Sequence, residues 1–223
     1  MPVTQSNNSG SIAVLTSGGL DSSVLLYDLS QTQTVFPIYV QQGLAWETEE
    51  YGSLENYISA IQNDSIMPIT KLRMPVEEIY GRHWSVTGDN IPSANDPDEK
   101  VYLPGRNIFL LTAAGIWCVT HGVTEIALGS LLGNPFPDAT PEFFNNFAQI
   151  LSTATSSKIN IITPYRGMTK ATLISQFKKL PLHLTLTCND PHKGNHCGVC
   201  NKCHERQISF SLSNITDRTY YEK

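Results

Sequence analysis

The feature that most constrains the fold of this chain is a glycine-containing turn at residues 17–22, which read Ser-Gly-Gly-Leu-Asp-Ser. The turn directly follows the apolar run at residues 12–15, which predicts a buried strand. Asp21 and Ser22 are typical of the first turn of a helix. A strand that passes through glycines into a helix directs backbone N–H groups and a helix N-terminus at one point, which predicts an anion-binding site. The plainer interpretation is an ordinary glycine-rich turn between a strand and a helix.

The chemistry of this turn differs from that of the two best-known phosphate-binding turns. It lacks both the lysine that ends the Walker A loop and the wider glycine spacing of the dinucleotide-binding fingerprint. Ser17 and Ser22 add hydroxyl groups, and Asp21 adds a carboxylate that can orient Mg²⁺. The turn resembles the SGGxDS signature of the ATP pyrophosphatases, which cleave ATP between its α- and β-phosphates. This resemblance implies that ATP is bound by the turn and its flanking residues, which are Thr16, Ser17, Gly18, Gly19, Leu20, Asp21, Ser22, Ser23, Val24, Leu25 and Leu26.

Strand-like and helix-like segments alternate along the chain. Short β-rich runs occupy residues 12–15, 35–40, 69–74, 125–129 and 160–163. Helical segments are predicted at residues 21–30, 48–63, 108–121, 141–151 and about 169–178, whereas residues 82–100 read as a long loop. This alternation predicts an α/β fold with a parallel sheet covered on both faces, as in a single Rossmann-like domain. Together with the turn, it resembles the adenine-nucleotide alpha-hydrolase-like fold.

Ligands of such sheets bind beyond the C-terminal ends of the strands. Four distinctive loops follow predicted strands, at residues 17–22, 41–47, 130–140 and 164–169. We therefore expect these loops to line one pocket.

Composition argues against several functional classes. Hydrophobic residues make up 40% of the chain and charged residues 16%, as in many globular enzymes. The formal net charge of −5 indicates no basic surface, so we expect no nucleic-acid partner. No apolar stretch approaches the roughly 20 residues that span a bilayer, and the first residues do not resemble a signal peptide. We therefore expect a cytoplasmic protein with no membrane partner.

Four of the five cysteines lie near the C-terminus in the pattern C-x8-C-x2-C-x2-C. Cys188, Cys197, Cys200 and Cys203 have the spacing of a four-thiolate metal site, and four thiolates favour tetrahedral Zn²⁺ in a structural role. An iron–sulfur cluster and unmetallated thiols are the alternatives. We expect a polar tail at residues 1–10, an α/β domain at 11–185, a zinc-binding segment with a terminal helix at 186–212 and a tail at 213–223.

Three further motifs narrow the resemblance. They are the Tyr-Leu-Pro-Gly-Arg-Asn sequence of residues 102–107, the Asp-Ala-Thr-Pro-Glu-Phe sequence of residues 138–143 and the Ser-Val-Thr-Gly-Asp sequence of residues 85–89. These motifs resemble motifs of the 7-cyano-7-deazaguanine synthases. Together with the glycine turn and the cysteines, they occur along the chain in the same order as in that family. The resemblance covers about residues 11 to 210.

The family resemblance implies a specific chemistry. ATP adenylates 7-carboxy-7-deazaguanine, ammonia displaces AMP to give an amide, and a second activation dehydrates the amide to a nitrile. We therefore expect a carbon–nitrogen ligase of queuosine or archaeosine precursor biosynthesis that uses ATP, Mg²⁺ and Zn²⁺. Its partners would be a deazapurine carboxylate and ammonia, and we expect it to be a homodimer.

The motif matches also assign roles to individual residues. The predicted catalytic residues are Ser17, Asp21, Ser22, Arg106 and Lys170. Arg106 suits bidentate contact with phosphate or carboxylate, and Lys170 at a helix start suits an anion ligand; the plainer interpretations are a structural arginine and a solvated lysine. The predicted substrate-binding residues are Trp46, Arg106, Asn107, Asp138 and Glu142. Trp46 would stack on a flat heterocycle or, alternatively, pack in the core.

Two loops depart from the family pattern. Residues 41–47 read Gln-Gln-Gly-Leu-Ala-Trp-Glu and lack the arginine and histidine of the family's segment, and Ala139 and Thr140 replace a cysteine and an arginine. We expect both loops on the substrate side of the pocket. The main alternative is therefore a divergent member that joins the same or another carboxylate to a different amine. A tRNA-thiolating pyrophosphatase and a nucleotide-binding regulatory module without catalysis are more distant alternatives.

Overall fold

Five short parallel strands form the centre of the protein, whose computed structural model describes residues 10–222. The strands lie in the order β3-β2-β1-β4-β5. Their bounds are β1 (Ser11–Leu15), β2 (Thr34–Gln41), β3 (Thr70–Arg73), β4 (Glu125–Ala127) and β5 (Asn160–Ile162). In the centre of the sheet, Val14 of β1 is paired with Pro37 of β2 on one side and with Ala127 of β4 on the other. The predicted parallel α/β sheet is confirmed.

Helices connect the strands and cover the sheet. They are α1 (Leu20–Ser30), α2 (Glu47–Ile61), α3 (Glu77–Tyr80), α4 (Trp84–Thr87), α5 (Arg106–His121), α6 (Pro141–Thr155), α7 (Lys170–Gln176) and α8 (Asn201–Ser213). Short 3₁₀ turns occur at Asp98–Val101, Pro137–Ala139 and Leu182–Leu184. No helix among residues 10–222 is long and apolar enough to cross a membrane.

The central strand β1 shows why the sheet is covered on both faces. Ile12 and Val14 pack in a core with side chains of α1, α7 and α8, whereas Ala13 and Leu15 pack in a second core with α5 and α6. Successive side chains of a strand point to opposite faces, so a strand buried on both faces has to be apolar at every position.

The long loop predicted at residues 82–100 is only partly correct, because it contains helical turns. Helix α4 begins after His83, whose ring Nδ1 accepts a hydrogen bond from the Ser85 backbone N–H at 3.3 Å. It ends at Gly88, whose φ of 75° is left-handed. The Ala45 N–H donates to the Ser85 carbonyl at 2.9 Å, so this turn packs on the loop after β2. Histidine is an uncommon helix cap, which explains why sequence patterns missed the turn.

The C-terminal residues pack against the cysteine-containing segment. The Glu222 N–H donates to the His196 carbonyl at 2.8 Å, and the Tyr221 ring contacts the His196 ring. The predicted boundaries at residues 185/186 and 212/213 stay predictions. Most of the predicted N-terminal tail, residues 1–9, lies outside the described residues.

The sheet topology determines where a ligand can bind. Neighbouring β1 and β4 are followed by connections that lead to opposite sides of the sheet, since β1 connects to β2 and β4 connects to β5. This reversal opens a crevice beyond their C-terminal ends, where ligands of open α/β sheets bind. The glycine turn at residues 17–22 and the start of the loop after β4 lie at this crevice.

Truncating a side chain in the central sheet tests the core. Ile126 in β4 is fully buried, so Ile126→Ala is expected to lower the free energy of unfolding by about 2–5 kcal/mol through lost burial and the resulting cavity. Ile150 on α6 is 62% exposed, and Ile150→Ala should change the free energy by no more than about 0.5 kcal/mol. Urea unfolding of both variants measures the difference, and equal effects would contradict this assignment of the core.

Candidate functional site

The glycine turn is packed closely against its neighbours. A side chain fits neither at Gly18 within the turn nor at Gly129, which contacts the turn from the end of β4. Gly18 has φ of 75°, and a Cβ there would lie 2.5 Å from the Glu50 carbonyl oxygen of α2. A Cβ at Gly129, directly after β4, would lie 2.9 Å from the Asp21 carbonyl carbon. The positive φ and the backbone contacts both require glycine, so the shape of the turn is fixed by backbone packing.

Serine hydroxyl groups hold the turn in shape. Ser22 Oγ accepts a hydrogen bond from the Ser17 N–H and donates to the Gly19 carbonyl, both at 3.2 Å. Ser17 Oγ accepts from the Gly19 N–H at 3.3 Å. The first turn of α1 follows immediately, so its N-terminus faces the crevice, and the first N–H groups of a helix, which have no partner within the helix, suit an anion.

A cavity of about 320 Å³ opens beside this turn. Most of the predicted site residues line it, namely Thr16, Ser17, Gly19, Leu20, Asp21, Ser22, Trp46, Arg106, Asn107 and Lys170. They come from the loops after β1 and β2 and from the first residues of α1, α5 and α7. A single cavity therefore brings together groups that are separated by more than 150 residues of sequence.

Asp138 and Glu142 do not line this cavity. Asp138 is buried, and its Oδ2 accepts a hydrogen bond from the Asn107 N–H at 3.0 Å while its carbonyl accepts from Asn107 Nδ2 at 2.8 Å. Burial raises the pKa of Asp138, and the bond from Asn107 partly offsets the increase. Glu142 is exposed in the first turn of α6. In the structure Asp138 supports the start of α5, and Glu142 occupies a position where a negative charge favours a helix.

A row of alternating charges runs from the glycine turn to α8. Lys170 Nζ lies 3.4 Å from Asp21 Oδ2 and 2.6 Å from Glu205 Oε1, and Lys202 Nζ lies 2.8 Å from Glu205 Oε2. The Lys170 side chain is only 9% exposed. Sequence analysis predicted Lys170 but missed Glu205 and Lys202, which no motif connects with the turn.

These ion pairs control the protonation of the site. Burial alone would lower the pKa of Lys170, but attraction by Asp21 and Glu205 raises it above its usual value. Burial raises the pKa of Asp21, an effect that Lys170 partly offsets. For Glu205, burial acts in the same direction, but Lys170 and Lys202 outweigh it and hold the pKa well below its usual range. Lys170 therefore stays charged at neutral pH.

Two buried acids that sequence analysis also missed lie on α2, and one of them, Glu50, lines the cavity. Glu50 Oε2 accepts a hydrogen bond from the Tyr39 hydroxyl at 3.1 Å. The Glu47 carboxylate accepts from the N–H groups of Gln42 and Gly43 at 2.6 and 2.8 Å. Burial raises the pKa of Glu50 to about 7, and Arg106 opposes the increase. The spacing of two glutamates three residues apart in the first turn of a helix was the available signal, since it places both on one helix face.

Trp46 and Arg106 connect this wall with the loop after β2. The Trp46 ring stacks on Trp84 with centroids 5.5 Å apart, and only 5% of Trp46 is exposed. Arg106 Nε donates to Gln42 Oε1 at 3.1 Å. Trp46 thus packs in a small apolar cluster while an edge of it reaches the cavity.

The four predicted metal-binding cysteines are brought together. Cys188 Sγ lies 3.9 Å from Cys200 Sγ, Cys197 Sγ lies 3.9 Å from Cys203 Sγ, and all four sulfurs lie within 4.8 Å of one another. Tetrahedral zinc with Zn–S bonds of about 2.3 Å would place sulfurs about 3.8 Å apart. A four-iron cluster has to fit between the sulfurs and would hold them farther apart. The donor set and spacing therefore fit a single zinc ion.

Neighbouring groups support the same geometry. The N–H groups of Asp190 and Cys197 donate to Cys188 Sγ, each at 3.3 Å. His196 is buried, and its Nε2 accepts from the Thr187 N–H at 2.9 Å, so this nitrogen is already occupied. Burial lowers the pKa of His196 to about 3, which keeps the ring neutral.

The buried Glu50 carboxyl gives a pH-dependent prediction. Its pKa of about 7 in the folded protein exceeds the value of about 4.3 in an unfolded chain. Protonated Glu50 therefore contributes to the stability of the fold at low pH, and this stability is lost as pH rises through 7. Glu50→Gln cannot ionise and should gain stability relative to the unaltered protein between about pH 6 and about pH 9, by on the order of 1–2 kcal/mol. Urea unfolding at both pH values measures the gain. Glu55→Gln on the exposed face of α2 is the control, and a Glu50→Gln curve parallel to that of the unaltered protein would contradict the prediction.

Comparisons with known proteins identify the family to which this chain belongs. The family model described as "Queuosine biosynthesis protein QueC" matches residues 11–214. A 7-cyano-7-deazaguanine synthase of Leptospira interrogans is 28% identical over 96% of this chain and 92% of its own length. Those of Sulfurihydrogenibium sp. and Methanothermobacter thermautotrophicus are 30% and 27% identical, over 88% and 93% of this chain and 92% and 97% of their own lengths. The chain belongs to the QueC family of queuosine biosynthesis proteins, as its motifs predicted.

Proposed function

We propose that this protein is an ATP-dependent carbon–nitrogen ligase that converts 7-carboxy-7-deazaguanine and ammonia to 7-cyano-7-deazaguanine. One observation carries the proposal: the SGGxDS turn, Lys170 and Arg106 line a single cavity in a chain that matches the QueC family over residues 11–214. Relatives that cover nearly the whole chain are named for this reaction.

The chemistry explains why a phosphate site and a cationic acid site are needed together. A carboxylate is a poor electrophile, and its conversion to an acyl-adenylate supplies a good leaving group. Ammonia then attacks the acyl carbon and AMP departs, which leaves an amide. A second activation at the amide oxygen allows that oxygen to leave and the nitrile to form.

The glycine turn is the proposed site of the phosphates. The N-terminus of α1 and the N–H groups of the turn would contact the departing pyrophosphate, and Lys170 would balance its charge. Asp21 Oδ1 is buried and has no hydrogen-bond partner among residues 10–222, which suits a carboxylate oxygen that receives a cation. Mg²⁺ held by Asp21 would neutralise negative charge on the phosphates. Ser17 and Ser22 keep the turn in the shape that these contacts require.

Arg106 is the proposed partner of the acid's carboxylate. Within the described chain its side chain donates a hydrogen bond only from Nε, to Gln42, so its terminal NH₂ groups can form a bidentate pair. Trp46 would contact the flat heterocycle by its cavity-facing edge, and Asn107 lies beside Arg106 at the same wall. The altered loops after β2 and at Ala139 and Thr140 support the alternative that another carboxylate or another amine is used.

The metal and the assembly complete the proposal. Cys188, Cys197, Cys200 and Cys203 would hold a structural zinc ion that fixes the C-terminal segment. We further propose a cytoplasmic homodimer that takes small-molecule substrates.

Product analysis tests the proposed reaction. Protein incubated with ATP, ammonium and 7-carboxy-7-deazaguanine should release AMP and pyrophosphate and form the nitrile, detected by mass spectrometry. Asp21→Asn should lower kcat by about a hundredfold or more, because a charge contact in the transition state is lost. Asp64→Asn at an exposed position is the control and should keep full activity. ATP cleavage that joins the carboxylate to an amine other than ammonia would support the alternative. Full turnover by Asp21→Asn would overturn the assignment of Asp21.

Metal analysis tests the zinc site. Elemental analysis should find about one zinc per chain in a colourless protein. Cys200→Ser should reduce the zinc content and the Tm, whereas Cys118→Ser in the core of α5 should leave the zinc content unchanged. Brown protein containing iron and sulfide would instead indicate an iron–sulfur cluster.

A further inference from the structure

The cysteine-containing segment forms part of the cavity wall as well as a metal site. Lys202, between two of the cysteines, lines the same cavity as Asp21, and so does Asn189, which follows Cys188 directly. Neither residue belongs to the glycine turn or to the motif around Arg106. The proposed function as stated above gives them no role.

Lys202 is placed near the glycine turn by its position on α8. Residues three apart lie on one face of a helix, so Lys202 and Glu205 of α8 are neighbours. The two oxygens of Glu205 contact different lysines, with Oε1 2.6 Å from Lys170 Nζ and Oε2 2.8 Å from Lys202 Nζ. Glu205 therefore holds both ammonium groups on the side of the cavity where Lys170 meets Asp21.

The row carries no net negative charge that would repel an anionic ligand. Two lysines and two carboxylates sum to zero, and the Lys202–Glu205 pair is partly exposed, with 29% and 33% of the side chains accessible. Partly exposed pairs of this kind stabilise a protein little. A lysine ammonium has three N–H donors, so Lys202 can contact a phosphate oxygen while it keeps its contact with Glu205.

Asn189 supplies an independent observation. Asn189 is only 9% exposed, and its Nδ2 has no hydrogen-bond partner among residues 10–222. Leaving a buried donor unpaired costs about 1–3 kcal/mol. Because this side chain also lines the cavity, a ligand oxygen would supply the missing acceptor.

We propose that the cysteine segment provides the second half of the polyphosphate site of ATP. Lys202 Nζ and Asn189 Nδ2 bind phosphate oxygens, and Glu205 is a positioning residue that holds Lys170 and Lys202 beside the turn. The ligand is the polyphosphate rather than the acid, since the contacts of Lys202 lead through Glu205 and Lys170 to Asp21, and Arg106 lies on the other wall. This inference rests on the proposed use of ATP and names further residues for it.

Calorimetric titration of the zinc-loaded protein with Mg-ATP, pyrophosphate and AMP tests the proposal. Lys202→Met should weaken binding of ATP and pyrophosphate by about tenfold to a hundredfold, as expected for a lost charged hydrogen bond, and should leave AMP binding unchanged. Lys178→Met at an exposed position is the matched control and should bind all three as the unaltered protein does. Zinc content is measured for each variant, so that loss of the metal is not mistaken for loss of a phosphate contact.

Two further variants separate binding from structural roles. Asn189→Ala removes an unpaired donor, so it should weaken ATP binding without lowering the Tm. Glu205→Gln should lower kcat while keeping or strengthening pyrophosphate binding, because it removes a competing negative charge. Zinc-loaded Lys202→Met that binds ATP normally, or that raises only the KM of the acid, would overturn this inference alone. Failure of the unaltered protein to bind ATP would overturn the proposed function with it.

Discussion

The close approach of three chain segments at Gly18 is the constraint on which the rest of the site depends. The missing side chain lets the Glu50 carbonyl of α2 come within a distance that no Cβ would allow, and the Gly18 carbonyl accepts from the Leu186 N–H at 2.8 Å. The first turn, the helix after β2 and the segment leading to Cys188 are therefore held by one residue. The two walls of the cavity take their relative positions from this contact.

A second organising contact lies at Arg206, whose side chain is fully buried beneath α8. Its guanidinium donates to Thr185 and Thr187 at 3.0 and 3.1 Å and to the Leu182 carbonyl at 2.7 Å. It also donates to Thr219 at 2.8 Å. Burial lowers the pKa of Arg206, and the neutral acceptors around it satisfy its donors. One side chain thus ties the segment before the cysteines and the C-terminal residues to the helix that carries Lys202 and Glu205.

Sequence patterns could predict the elements whose signals are local. The parallel sheet followed from the continuous apolar strands, the turn between β1 and α1 from the glycines at residues 18 and 19, and the cysteine cluster from its spacing. The partners of Lys170 could not be predicted, because Glu205 lies 35 residues away in sequence and meets it only through the packing of α7 on α8. Asp138 shows the opposite case, since its motif suggested a ligand contact while its carboxylate caps the backbone at Asn107.

The two walls of the cavity also differ in what defines them. The wall at the glycine turn depends on the absence of side chains at Gly18 and Gly129, where any replacement meets backbone atoms that no second substitution can remove. The wall near residues 41–47 is built from side chains, including Trp46 and Arg106, that can be exchanged one at a time. Substitutions at the two walls therefore have different consequences. At the wall of side chains a substitution changes the shape and charge of the cavity, whereas at Gly18 or Gly129 it displaces the backbone of the turn itself.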